Sequence, residues 1–394
     1  MMKKSLSLLL SALALLSCAN DTEQLIESGK RILLDVDAER IEKKIKSVSL
    51  LQFEVDDSWK YITAPLMTKC GDTFIFCTQE TCHLIGYKES GKKVFFKHIK
   101  GRGRGEVLEI MNMFSHGDTV CLYDVSKGNL VMYDKQGRYF SKTDDTFMEE
   151  YLYPMGKGKY VGFTALRNRG NKYVNVYDED GNKTDSYFSM PDYLKGLSYT
   201  IGQTPMQYSF KDSVRFRIPF DYNLYSVTER GIESVYKFVP ANPIPQDVLE
   251  KIGKDMPVLE RIQLVGKYDY NFQSLFEMDR FLFFYYSGNH VLYDKQKDVV
   301  FKTLNPKAYY DKSFASDMSC DDVWQYILSS FLPLYSEGNR LYGRLPSSFY
   351  GILNDCKDKL DSRQMALLNE MADYYSKYTV LSDDVLIVSI DFEE

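Results

Sequence analysis

The chain has 394 residues, 44% hydrophobic and 26% charged, enough apolar content for one large domain or two of average size. Its 24 Gly and 12 Pro are too few for a collagen-like fibre, and its composition is not that of a disordered chain. The 49 basic side chains against 55 acidic ones give a net charge of −6, without the basic surplus on which nucleic-acid binding draws. The 31 Tyr and 24 Phe, against 2 Trp, favour strands over helices.

Lys3 and Lys4 precede an apolar run over residues 6–16, too short to span a bilayer but suited to a secretory signal. The run ends at Leu15, Leu16, Ser17 and Cys18, which resembles a bacterial lipobox. That resemblance implies cleavage after Ser17, a diacylglyceryl thioether on Cys18 and acylation of the new amino terminus. Two or three chains together make a stable membrane anchor. Residues 1–17 are therefore read as a signal peptide, 18–46 as a tether and charged lead-in, and 47–394 as the folded domain. Processing removes two lysines and takes the net charge to −8. No other stretch reaches 18 uninterrupted apolar residues.

Six cysteines remain: Cys70, Cys77, Cys82, Cys121, Cys320 and Cys356. An exported protein permits disulfides, with 15 full pairings open, and buried thiols are the other reading. Cys70, Cys77, Cys82 and His83 lack the paired-knuckle spacing of a zinc site, and no metal or other cofactor is expected.

From residue 47 to about 238 the chain reads as short strands separated by polar turns. One phrase recurs: Tyr87 to Gly91, Tyr133 to Gly137, Tyr177 to Gly181, Val227 to Gly231 and Tyr293 to Lys297. Each lies between two strand-like runs, the signature of a β-hairpin. The phrases start 46, 44, 50 and 66 residues apart, near the length of a four-stranded propeller blade. The long interval holds Pro240, Pro243, Pro245 and a helix-like stretch over 246–254. A closing unit follows, with helices over 321–331 and 353–377, a strand over 340–345 and a terminal strand over 385–392. The expected fold is all-β: a six-bladed β-propeller of four-stranded antiparallel blades, with small helical insertions and a C-terminal helix before the closing strand. Closure requires the terminal strand and the strand after residue 47 to share a blade.

These features resemble the six-bladed, TolB-like β-propeller lipoproteins of Bacteroidales. The likeness rests on the lipobox, the Tyr-Asp turns, the Ser382, Asp383, Asp384 segment before the last strand, and a loop of Gly101, Arg102, Gly103, Arg104, Gly105 and Glu106. That family's loop has Pro where this chain has Arg104. The resemblance implies a fold and an envelope location, and carries no catalytic residues.

Glycines at 101, 103 and 105 let backbone amides face an anion, with Arg102 and Arg104 adding forked donors. The loop lacks a Gly-Lys-Ser/Thr ending and the GxGxxG spacing, so the bland reading is a crossover between blades in which Glu106 pairs an arginine. His83, His98, His116 and His290 show no metal spacing on a helix, and no Gly-x-Ser-x-Gly elbow exists. Trp59 with Tyr61, Trp324 with Tyr326, and Tyr309 with Tyr310 would serve as binding platforms if exposed. The resulting expectation is a monomeric, lipid-anchored module that binds an envelope protein, peptide or glycan without catalysis. Its candidate residues are Arg102, Arg104, Glu106, Trp59 and Tyr61. The alternative is a polysaccharide- or peptide-processing hydrolase or lyase, marked by two carboxylates or a metal-holding His at the channel mouth.

Overall fold

The computed structural model describes residues 29–56, 62, 65–143, 147–164, 172–189, 206–252, 256–303, 319–378 and 385–393. Cys18, Trp59, Tyr61, Tyr309, Tyr310 and the 382–384 segment lie outside the described residues.

Six antiparallel sheets follow one another along the chain. Blades 1 to 5 occupy residues 65–98, 110–142, 151–189, 206–239 and 272–302. Blade 6 takes 332–346 and 385–392 from the end of the chain and 45–50 from its beginning. The inner strands Pro65–Cys70, Ile110–His116, Tyr151–Met155, Met206–Phe210, Phe272–Glu277 and Leu332–Glu337 each touch the next, and the last touches the first. The ring is closed.

The recurring turn phrase divides its labour by residue. Tyr87, Tyr133, Tyr177 and Tyr293 are buried in the cores between sheets. The Asp that follows closes its own turn: Asp134 accepts the amides of Gln136 and Arg138 at 2.9 Å each. Asp178 does the same for Asp180 and Asn182, and Asp294 for Gln296 and Lys297. The Asn182 amide holds the Asp178 carboxyl below its ordinary pKa. The terminal Gly takes a positive φ, as at Gly137 (72°). The fifth phrase has Lys297 in that place and puts Asp298 at φ 58° instead, one residue later.

Closure is double. Ile45–Leu50 pairs antiparallel with Val385–Phe392, Leu50 facing Val388 and Ile45 facing Phe392. The helix Ser362–Lys377 then clamps the same join. Its Glu370 accepts the Leu50 amide at 2.6 Å, its Arg363 donates to the carbonyls of Glu42 and Ile45, and Tyr374 donates to the Phe53 carbonyl at 3.0 Å. Val48, Trp324, Leu367, Met371 and Val388 share one core there.

Three local features differ from the sequence expectation. The single helix over 353–377 is two, Phe349–Asp355 and Ser362–Lys377, because Asp361 and Gln364 form a capping box that starts the second. The stretch after the prolines yields Gln246–Lys251 and a second helix, Val258–Val265, behind Pro257. The charged lead-in is itself structured. Lys30–Leu33 adds a parallel fifth strand to the outer edge of blade 4, and Glu39–Arg40 does so for blade 5. Each thereby covers an open sheet edge.

Alternation of strand direction sorts the connections. Turns joining first to second and third to fourth strands share one face, the turn face. Links between blades, and those joining second to third strands, share the other, the connector face. The link over 240–271 with its helices belongs to the connector face, whereas the insertion after Pro346 leaves blade 6 there and its last helix runs along the outer strand, Arg363 at the Ile45 end and Glu370 at the Leu50 end.

Candidate functional site

The inner strands enclose a channel of about 530 Å³, whose walls include Phe114, Tyr153, Tyr208, Phe276 and Tyr335. Its amides are committed to the fold. Asn112 exchanges two hydrogen bonds with the Leu152 backbone across the seam between blades 2 and 3, and Gln207 donates to Tyr173.

At the turn-face end the carboxylates of the wall meet cations. Glu277, with a side chain only 2% exposed, accepts Arg215 Nε at 2.9 Å and Lys295 Nζ at 3.0 Å. Tyr208 donates to it at 3.4 Å. Burial lowers the Lys295 pKa, and Glu277 opposes that shift. Asp279 faces Lys211 at 3.6 Å, and Glu337 faces Lys69 at 2.6 Å. None of the four histidines lines the channel. Sequence reading missed this network, since Arg215 comes from blade 4, Glu277 and Lys295 from the first strand and the outer turn of blade 5, and no local pattern links them.

The 101–106 loop lies on the connector face, between blades 1 and 2. Its amide cradle holds the chain's own carboxylate: Glu106 accepts the Gly103 amide at 2.6 Å. A Cβ at residue 101 would lie 2.1 Å from Glu106 Oε2, and at residue 103 2.9 Å, so the glycines make room for that carboxylate. Lys127 donates to the carbonyls of Gly101 and Glu106, and Tyr133 to that of Gly105, fixing the loop on blade 2. The expected arginine partner of Glu106 is thus replaced by a backbone amide. Arg102 is exposed, and Arg104, also exposed, lies 5.5 Å over the Tyr139 ring.

Of the remaining candidates, Trp324 is buried and donates to Asp361 at 2.8 Å, which makes it a core residue rather than a platform. Tyr326 stacks on Phe349. The six described cysteines are free thiols, five of them buried. Burial pushes the Cys121 thiol up to about 12. Among the described residues no group of three or more His, Cys, Asp or Glu could hold a metal ion.

Two further juxtapositions escaped the sequence. His83 and His98 face each other across neighbouring strands of blade 1, rings 4.9 Å apart, with His83 stacked on Phe96. Glu149 is buried and satisfied by neutral donors: Thr164 at 2.9 Å, Asn175 at 2.8 Å and Tyr177. Gly162 makes space for it, since a Cβ there would lie 2.3 Å from Glu149 Cγ. That network joins a repeat-motif tyrosine to the link entering blade 3, and it reads as fold rather than chemistry.

A closed ring of six blades with a structured connector face defines the class as a six-bladed β-propeller. The family model DUF5128, described as a 6-bladed beta-propeller, matches residues 43–321, and the chain belongs to that family. The solved structure of a predicted exported protein from Bacteroides fragilis is similar over 93% of this chain and 99% of that one, with TM-score 0.70 and 16% identity. A duf4221-family member from Bacteroides vulgatus gives TM-score 0.46 at 8% identity, over 89% of this chain and 99% of that one. A virginiamycin B lyase from Staphylococcus aureus gives 0.38 at 13%, over 66% and 74%. These last two likenesses carry no argument about the activity of this chain. No curated protein matches it. Among the described residues no helix is long and apolar enough to cross a membrane.

Proposed function

We propose that this propeller is a lipid-anchored binding module of the outer membrane, one of the TolB-like envelope lipoproteins of Bacteroidales. It holds an envelope protein, peptide or glycan as a monomer and carries out no chemistry on it. The observation that carries the reading is the asymmetry of the ring. Its long connections gather on one face, where Arg102 and Arg104 stand exposed on a loop that the chain's own hydrogen bonds hold rigid. Binding residues concentrate on loops that a rigid scaffold positions. The ion pairing of Glu277, Asp279 and Glu337 favours binding over acid–base catalysis at the channel mouth. The lipobox at Cys18 and the similarity to a predicted exported protein support export and anchoring.

The test is affinity capture of the lipidated protein, cross-linked in its native cells and read by mass spectrometry, beside an Arg102→Ala, Arg104→Ala control. A reproducible partner lost in the control supports the reading. A partner retained unchanged in the control removes the loop from it. For the anchor, Cys18→Ala should release the exported protein into the soluble fraction, and persistent membrane association contradicts lipidation there.

A further inference from the structure

The path by which the chain enters the ring bears on how an anchored propeller would sit on its membrane. Gly29 is the first described residue, and its position is fixed. Its amide donates to Ser234 Oγ at 3.1 Å, and a Cβ there would lie 2.3 Å from the Val235 backbone. From there Lys30–Leu33 runs parallel to Gly231–Val239, Lys30 facing Tyr236 and Leu33 facing Val239. Gly231–Val239 starts at the turn face, because Gly231 pairs with Thr228 across its hairpin. The chain therefore comes in from the turn face, on the outer edge of blade 4, and runs toward the connector face. Lys30 agrees with that placement, since it pairs with Asp298 at 3.5 Å and donates to the Lys295 carbonyl, both in the outer turn of blade 5.

Between Cys18 and Gly29 the sequence supplies the residues 18–28. A chain of that length reaches about 40 Å at full extension, and averages nearer 18 Å when flexible. A six-residue strand is about 20 Å long, so the blade itself roughly equals the average tether. Gly29 lies midway along Gly231–Val239, and the direction of Lys30–Leu33 with the ties of Lys30 to the outer turn of blade 5 points the incoming chain toward the turn face. Charge does not oppose this arrangement. Around the entry point Lys30 is matched by Asp298, Lys157 by Glu229 and Lys211 by Asp279.

Resting on the proposed lipidation of Cys18, we infer that the turn face at blades 3 to 5 is the membrane-proximal surface of the propeller, apposed to a lipid bilayer. The tether sets this orientation, and the connector face with the 101–106 loop is held outward.

The experiment uses the full lipidated protein in phosphatidylcholine vesicles carrying a headgroup quencher. Single fluorophores are placed by Arg230→Cys or Asp180→Cys on turn-face hairpins, and by Glu80→Cys in the exposed connector-face turn between Thr73–Thr78 and His83–Lys88 of blade 1. A Cys320→Ala background removes the one described native thiol that is not buried. Quenching at residues 230 and 180 should exceed that at residue 80 by about twofold or more, as expected for a tether comparable to the blade depth. High salt should leave the order unchanged, because the tether rather than surface charge sets it. Equal quenching, or stronger quenching at residue 80, overturns the orientation. The mass of the purified protein, read before labelling, separates the two claims. A protein without lipid overturns the anchoring and this inference with it, whereas a lipidated protein with the reversed order overturns the orientation alone.

Discussion

On the turn face, each repeat closes within a few residues, and in three of the five phrases an Asp caps the amides that its own turn leaves open. On the connector face, the link from blade 4 to blade 5 runs over 240–271 and builds two helices, and the helical insertion of blade 6 departs from the same face. The strands beneath the two faces are the same. The contrast teaches that repetition in this sequence serves closure of the ring, while the unrepeated segments set its surface apart. Interaction surfaces are built from such unrepeated loops on a rigid frame.

The contrast can be broken most severely at the join between the chain ends. Deleting 385–392 strips blade 6 of the strand between Arg340–Pro346 and Ile45–Leu50 and exposes both edges. The expected result is loss of cooperative thermal unfolding, followed by circular dichroism. An unchanged transition would contradict closure.

Next in size is a comparison along the turn-face end of the channel. Glu277→Leu leaves Arg215 and Lys295 without their buried carboxylate, and should cost about 3–5 kcal/mol in urea unfolding. Glu229→Gln removes an exposed partner of Lys157 and should cost less than about 1 kcal/mol. Similar costs for the two would dissolve the distinction between wall and rim.

Acid should act through His290, buried on blade 5 and stacked on Phe283. Burial lowers its pKa from the usual 6.5 to about 4. The neutral ring is thus favoured by folding, and its contribution is fully present above pH 6.5 and lost as pH falls toward 4. The loss should reach about 3 kcal/mol, at about 1.4 kcal/mol per pKa unit. Urea midpoints across this range should show that slope, reduced in His290→Gln. An equal slope in the variant would assign the effect elsewhere.

The smallest effects belong to the 101–106 loop. Gly101→Ala forces Glu106 off the Gly103 amide and should cost about 1–2 kcal/mol, the scale of one charge-assisted hydrogen bond. Arg102→Ala with Arg104→Ala should leave stability within about 0.5 kcal/mol, as for exposed side chains. A large loss in the double variant would return both arginines to a structural role.

The blades were legible because each Tyr-Asp turn carries its logic in adjacent residues: a Tyr to bury, an Asp to cap, a Gly for the left-handed position. The fifth phrase was legible without its Gly because Asp298 accepts that conformation one residue later. The lead-in strands were not legible. Lys30–Leu33 has too few apolar residues to signal a strand, and only the edge of blade 4 gives it a partner. The channel network was hidden for a related reason, since Arg215, Glu277 and Lys295 meet only once two blades stand side by side. The 101–106 loop was half legible. Its glycines announced an amide cradle, but that the cradle holds Glu106 is a matter of side-chain placement rather than spacing.

The central claim is that partners are taken on the connector face. Site-specific photo-cross-linking in native cells addresses it directly, with the reactive side chain placed at residue 102 or 80 on that face and at residue 180 or 230 on the turn face. The account predicts a discrete partner adduct from 102 or 80 and none of that mass from 180 or 230. The same adduct from the turn face, with none from the connector face, would contradict it.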